Sequence, residues 1–237
     1  MKNMFKNPWK NEWKEGGEHF KNWLDDSVLS SINNMTGTKW DYSKIKTNFK
    51  LHSGQDILKL EYEAGKKDTN AKNRWKGLYG ANTCAIRLSY ALNNAGYIIS
   101  EHKTKQGRFT WTSNINAKHQ YLLGADEMGV YLSQQLGSPS IQTDGPVTKD
   151  SEIDALMKKF EKWKDYKGII YLDSKNHKVY GATGHVDLIY EDWGNDPHIL
   201  GSDQELDDYL DWRNGDGWFN TDAKIQVKVW FLEGNLK

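Results

Sequence analysis

The order of periodicities along the chain predicts an α+β protein whose helices pack on a small antiparallel sheet. Helical spacing of apolar residues dominates the first two thirds, and three strand-like runs then follow at 168–173, 185–190 and 225–232. Between them lies Gly80–Asn93, where the only cysteine of the 237 residues opens a helix.

Residues 1–17 are polar, spotted with tryptophan and interrupted by Gly16-Gly17. From His19 to Asn33, Phe20, Trp23, Leu24, Val28 and Ile32 recur at helical spacing. A polar connection runs through Trp40 to Leu51, and residues 56–63 fit helix and strand equally well. Lys66–Lys76 carries a run of charge and asparagine and is expected to be a solvated loop. Thr83 is the expected N-cap of the next helix, with Ala85, Leu88 and Leu92 on its apolar side. That helix should stop near Asn94, with Gly96 in the left-handed conformation.

Arg108–Thr112 alternates like a short strand. Ala125–Leu136 reads as a helix with Met128, Leu132 and Leu136 on one face, ended by Gly137. Ser138–Pro146 reads as a loop. Ser151 is the expected cap of a second amphipathic helix, in which Ile153, Leu156, Met157, Phe160 and Trp163 share a face. In the last strand Ile225, Val227, Val229 and Phe231 alternate with Gln226, Lys228 and Trp230. No internal repeat is present.

Composition narrows the function. Hydrophobic residues make up 37%, sufficient for a core when 11 Trp and 12 Tyr supply much of the area. The formal net charge of +0 favours neither nucleic acid nor an anionic membrane as partner. A lone cysteine excludes an internal disulfide and a multi-cysteine zinc site. No apolar run follows Met1–Trp13, so no cleavable export signal is expected, and no stretch is long enough to span a bilayer.

Cys84 stands in the first turn of its helix, where unpaired N–H groups and the helix dipole favour an anion and so a nucleophilic thiol. A small buried hydrophobe is the plainer role for a lone cysteine. A thiol nucleophile needs a base. His185, in Gly184-His185-Val186-Asp187, sits at the start of a strand just after a glycine, which fixes the ring and leaves room for a substrate. His19, His52, His102, His119 and His177 fall in polar segments and are expected at the surface, with His198 a minor candidate. The base needs an acceptor for its second ring nitrogen. Asp196 would serve if a turn at 192–195 folded one strand back on the other. Asp187 would serve because residues two apart share a strand face. The residues themselves leave these two even.

Two further features are weaker. Asp211, Asn214, Asp216, Asn220 and Asp222 resemble a calcium loop in composition but not in spacing. The scattered tryptophans are expected in the core rather than on a sugar-stacking surface.

Asn82-Thr83-Cys84-Ala85-Ile86-Arg87-Leu88-Ser89 resembles the cysteine helix of the type VI secretion amidase effectors, fourth family, compact relatives of the NlpC and papain-like cysteine peptidases. Lys167-Gly168-Ile169-Ile170 is similar to that family's strand before the histidine, Gly184-His185-Val186-Asp187-Leu188 to its Gly-His motif, and Val229-Trp230-Phe231-Leu232 to its final strand. The resemblance implies an NlpC-like, papain-like fold in a single catalytic domain over 1–237. Within it, residues 1–60 are an N-terminal extension, 78–200 the core, 202–222 an acidic insertion and 225–232 the last strand. It implies Cys84 as nucleophile, His185 as base and Asp196, eleven residues on, as third member, with Asp187 as alternative. It also implies a cofactor-free amidase that cuts the amide between D-glutamate and diaminopimelate in peptidoglycan stem peptides. Such an enzyme is delivered by a type VI secretion apparatus into a rival's periplasm and is neutralised by a periplasmic immunity protein.

Overall fold

The computed structural model describes residues 40–65, 69–101, 110–174, 184–191, 197–201, 204–206 and 224–237. The expected helix at 19–33 and the candidate calcium loop at 211–222 lie outside these residues. Of the described elements, the first is helix α1 (Tyr42–Leu51), capped by Asp41, whose Oδ1 accepts the Lys44 N–H at 3.1 Å. Helix α2 (Gly54–Ala64) settles the ambiguous 56–63 stretch. Ser53 and Asp56 form a reciprocal capping box at its start, and Ile57, Leu58 and Glu61 are buried along it.

Helix α3 (Thr69–Lys76) replaces the loop expected at 66–76. Its charges are solvated as expected, but Ala, Lys and Arg are also good helix formers, and Trp75 on the inner side is fully buried. One anchor residue outweighs the charge pattern. Helix α4 (Cys84–Asn94) ends as the sequence predicts: Gly96 has φ +95°, Tyr97 N–H reaches back to the Leu92 carbonyl at 2.9 Å and Gly96 N–H to that of Asn93 at 3.1 Å.

Strands β1 (Trp111–Thr112) and β2 (Gln120–Tyr121) make a two-stranded ribbon. Helix α5 (Ala125–Leu136) runs to Gly137 as expected and buries Met128 and Leu132. The loop expected at 138–146 contains a short strand, β3 (Ile141–Gln142), that pairs with the last strand at Ile141↔Val229. Two residues are too few to register as alternation. Helix α6 (Asp150–Phe160) is capped two residues earlier than expected: Lys149 is the N-cap, and Glu152 accepts the Lys149 and Thr148 N–H groups at 3.2 and 2.6 Å. Ser151 lies inside its first turn, and Trp163, expected on the helix face, opens the following strand.

Strands β4 (Trp163–Ser174), β5 (Gly184–Glu191), β6 (Pro197–Ile199), β7 (Gln204–Glu205) and β8 (Ile225–Leu236) complete a six-stranded antiparallel sheet of order β3-β8-β4-β5-β6-β7. β4 and β8 extend beyond the predicted runs because Gly168 and its neighbours carry register shifts that the apolar alternation does not encode. Ile169, Tyr171, Val186, Leu188, Trp230 and Leu232 form one buried cluster with Phe49 of α1, Leu88 and Leu92 of α4 and Met128 and Leu132 of α5. α1 is therefore part of the same core as the cysteine helix. Phe160, Trp163, Tyr166 and Phe231 stack into an aromatic cluster around α6. Trp40, Trp75, Trp163 and Trp230 are all buried, as expected of core tryptophans.

Candidate active site

The segment before α4 is held from outside itself. Gln55, in the first turn of α2, donates from Nε2 to the Ala81 carbonyl at 3.1 Å and accepts the Gly80 N–H on Oε1 at 3.3 Å. One residue earlier, a Cβ on Gly54 would overlap Thr83 Oγ1. Only glycine leaves room for the Thr83 side chain against the start of α2. Thr83 occupies the N-cap position at φ −114°, ψ 14°, but its hydroxyl makes no cap hydrogen bond. The Cys84 N–H goes instead to Asn82 Oδ1 at 3.2 Å. Cys84 is half-buried at the head of the helix.

His185, at the start of β5, lies within the field of Cys84, which favours its protonated form. Its Nε2 lies 3.4 Å from Asp187 Oδ2, with 19% of the His185 side chain and 5% of the Asp187 side chain exposed. Asp187 Oδ1 accepts the Leu188 N–H at 2.7 Å and the Gly201 N–H at 3.0 Å, so its orientation is set by the backbone of β5 and of the segment after β6. Burial alone would make the imidazolium less stable. The hydrogen bonds to Asp187 and Cys84 outweigh it and push His185 up to about 10.

Asp196 lies outside the described residues. Its neighbour Pro197 pairs with Glu191, at the opposite end of β5 from His185. Of the other histidines, His52 packs edge-on against Tyr90 and His119 against Asn116, so both are half-buried rather than fully exposed. His198 faces Tyr190 and Glu205, away from Cys84 in the register of the sheet. His19, His102 and His177 lie outside the described residues.

Sequence reading missed three residues around this centre. Gln55 and Asn82 give no local signal, because their partners are backbone groups. Arg87 does leave one, in its spacing of three from Cys84, which places both on one side of α4. Its Nε donates to the Phe49 carbonyl at 3.1 Å, in the last turn of α1, and its guanidinium lies 3.9 Å over the Phe49 ring. Behind the centre, Tyr42 is buried and its hydroxyl has no hydrogen-bond partner among the described residues. Burial and the field of Asp187 push that phenol far above its ordinary range.

A thiol at a helix start, an imidazole within its field and a carboxylate beside the imidazole are the side chains that cysteine hydrolysis uses. The family model of the type VI secretion system amidase effector protein 4 matches residues 80–230. No curated protein sequence matches the chain. Among solved structures, the type VI effector–immunity complex Tae4–Tai4 from Enterobacter cloacae aligns at 21% identity over 83% of this chain and 100% of that chain, with a TM-score of 0.51. The effector Tae4 from Enterobacter cloacae aligns at 19% identity over 84% of this chain and 100% of that chain, with a TM-score of 0.50. The effector–immunity system Tae4/Tai4 from Salmonella typhimurium aligns at 20% identity over 83% and 100%, also with a TM-score of 0.50. At these identities the likeness is one of fold.

Proposed function

Because the chain belongs to the family of type VI secretion amidase effector protein 4, we propose that it hydrolyses the amide joining D-glutamate to diaminopimelate in peptidoglycan stem peptides, with Cys84 as nucleophile and His185 as base. The observation that carries this reading is the placement of Cys84 at the head of α4 and of His185, held by Asp187, at the head of β5, with the imidazole in the field of Cys84. Asp187 takes the third role, supported by its 3.4 Å approach to His185 Nε2 and by the two backbone N–H groups that fix it.

Cys84 Sγ attacks the γ-carbonyl of D-glutamate while its proton resides on His185. The imidazolium then gives that proton to the diaminopimelate nitrogen as the C–N bond breaks, leaving a thioester on Cys84. Water, deprotonated by His185, releases the glutamyl half. The Cys84 N–H is the nearest oxyanion donor, and such a donor contributes about 3 kcal/mol in the transition state. It is occupied by Asn82 Oδ1 in the free protein, so substrate must displace that carbonyl. None of these steps calls for a metal.

The place of action is the periplasm of a target bacterium, reached by type VI secretion, and the partner that protects the producer is an immunity protein covering this cleft. Digestion of purified sacculi tests the chemistry. Mass spectrometry should find new free amines on diaminopimelate and no new reducing ends, because glycosidic cleavage normally uses two carboxylates flanking the sugar. New reducing ends without new amines would overturn the reading. Expression with an added export signal tests the biology: the wild type should lyse a bacterial host, Cys84→Ala should not, and co-export of the neighbouring gene product should rescue the host.

A further inference from the structure

Arg87 is a half-buried cation one turn after the nucleophile, and its known partners use only part of it. Nε is committed to the Phe49 carbonyl and the flat face of the guanidinium to the Phe49 ring. Among the described residues no carboxylate forms an ion pair with it, although it lies within the field of Asp187. Capping the end of α1 explains the Nε bond, but a lysine or a neutral donor would cap that carbonyl without bringing a planar fork of further N–H groups. Partial burial already disfavours the charged guanidinium, so an arriving anion that pairs with its remaining N–H groups gains more there than at an open surface. Locked at Nε and stacked on Phe49, the fork is held in one orientation, which suits bidentate recognition of a planar anion.

We propose that Arg87 is a specificity-determining residue that binds the α-carboxylate of the substrate's D-glutamate. This rests on the substrate proposed above, in which that carboxylate belongs to the acyl half and stays attached to Cys84 through both chemical steps. Cys84 and Arg87 face the same side of α4, so a chain running from the thioester along its axis meets the guanidinium within one turn. A role confined to Asp187, through its charge, would slow every substrate alike.

The test compares the tripeptide L-alanyl-γ-D-glutamyl-diaminopimelate with its counterpart in which the glutamate α-carboxylate is a carboxamide. The wild type should favour the free carboxylate by about 10- to 100-fold in kcat/KM, the span of a hydrogen bond to a charged group. Arg87→Met, which keeps the stem on Phe49, should bring the ratio close to one. Arg87→Lys should restore part of it. A second arm measures affinity for the two peptides in Cys84→Ala and in Cys84→Ala/Arg87→Met, where turnover plays no part, and the same collapse of the ratio is expected. Equal treatment of the two peptides by the wild type, or a wild-type ratio retained in Arg87→Met, overturns the assignment. If the wild type cleaves neither peptide the proposed reaction falls, and the affinity ratio alone then decides Arg87.

Discussion

Gly54 of α2 lies against Thr83, the residue before Cys84, so closely that any side chain at position 54 would overlap the Thr83 hydroxyl. The neighbouring Gln55 amide bonds both faces of the Gly80–Ala81 segment. The start of α2 is therefore a mould for the backbone that presents Cys84. Gly54→Ala should cost about 1–3 kcal/mol from overpacking, seen as a lower urea midpoint, and should also slow turnover. Gln55→Ala should leave stability within about 0.5 kcal/mol, because its bonds are exposed, yet lower kcat by about 10-fold with little change in KM. Alkylation of Cys84 by iodoacetamide should slow in parallel. An unchanged alkylation rate would assign Gln55 a purely structural part.

Cys84→Ala and His185→Ala should each abolish hydrolysis, and the double variant should be no worse than either, because the two act as a unit. Asp187→Asn should reduce kcat by about 100-fold while Asp196→Asn stays near wild type. Release of soluble muropeptides from sacculi measures all of these. An inactive Asp196→Asn beside an active Asp187→Asn would reassign the third member to Asp196.

The cysteine helix and the Gly-His strand were legible in sequence because each carries its signal locally. Spacing, a terminal glycine and a lone reactive side chain suffice for α4, and alternation after Gly184 suffices for β5. The carboxylate beside His185 was not legible in the same way. Choosing between Asp187 and Asp196 requires the strand register, and the pairing of Glu191 with Pro197 is a long-range fact that no local pattern encodes. Gln55 was invisible for a related reason, since it acts on backbone groups of another segment.

Trp75 shows the same limit for the core. The charge around it predicts a loop, but the indole is fully buried against Trp111 and Tyr121, both edge-on at 5.4 Å. Trp75→Ala should therefore cost about 3–5 kcal/mol in chemical denaturation, far more than a loop residue. The indole N–H has no hydrogen-bond partner among the described residues. Trp75→Phe should cost much less than Trp75→Ala, because it keeps edge-on packing and removes an unsatisfied donor. A Trp75→Ala protein of wild-type stability would mean that α3 does not pack as described.

The His185–Asp187 contact fixes a pH dependence and its sign. His185 is raised to about 10 from an ordinary value of 6.5, so the folded protein holds this proton more tightly than the unfolded chain. The stabilisation is fully present below pH 6.5 and is lost as pH rises through about 10. The stability advantage of wild type over His185→Gln should accordingly shrink across that window, read as converging melting temperatures. Activity follows the same proton, because the imidazolium must still be available to protonate the leaving nitrogen. The alkaline limb of kcat/KM should lie near the top of that window in the wild type. Asp187→Asn removes the largest contribution that raises His185, so its alkaline limb should move down toward neutrality and the residual activity should peak at lower pH. Wild-type and Asp187→Asn profiles with superimposable alkaline limbs would show that another group holds the His185 proton.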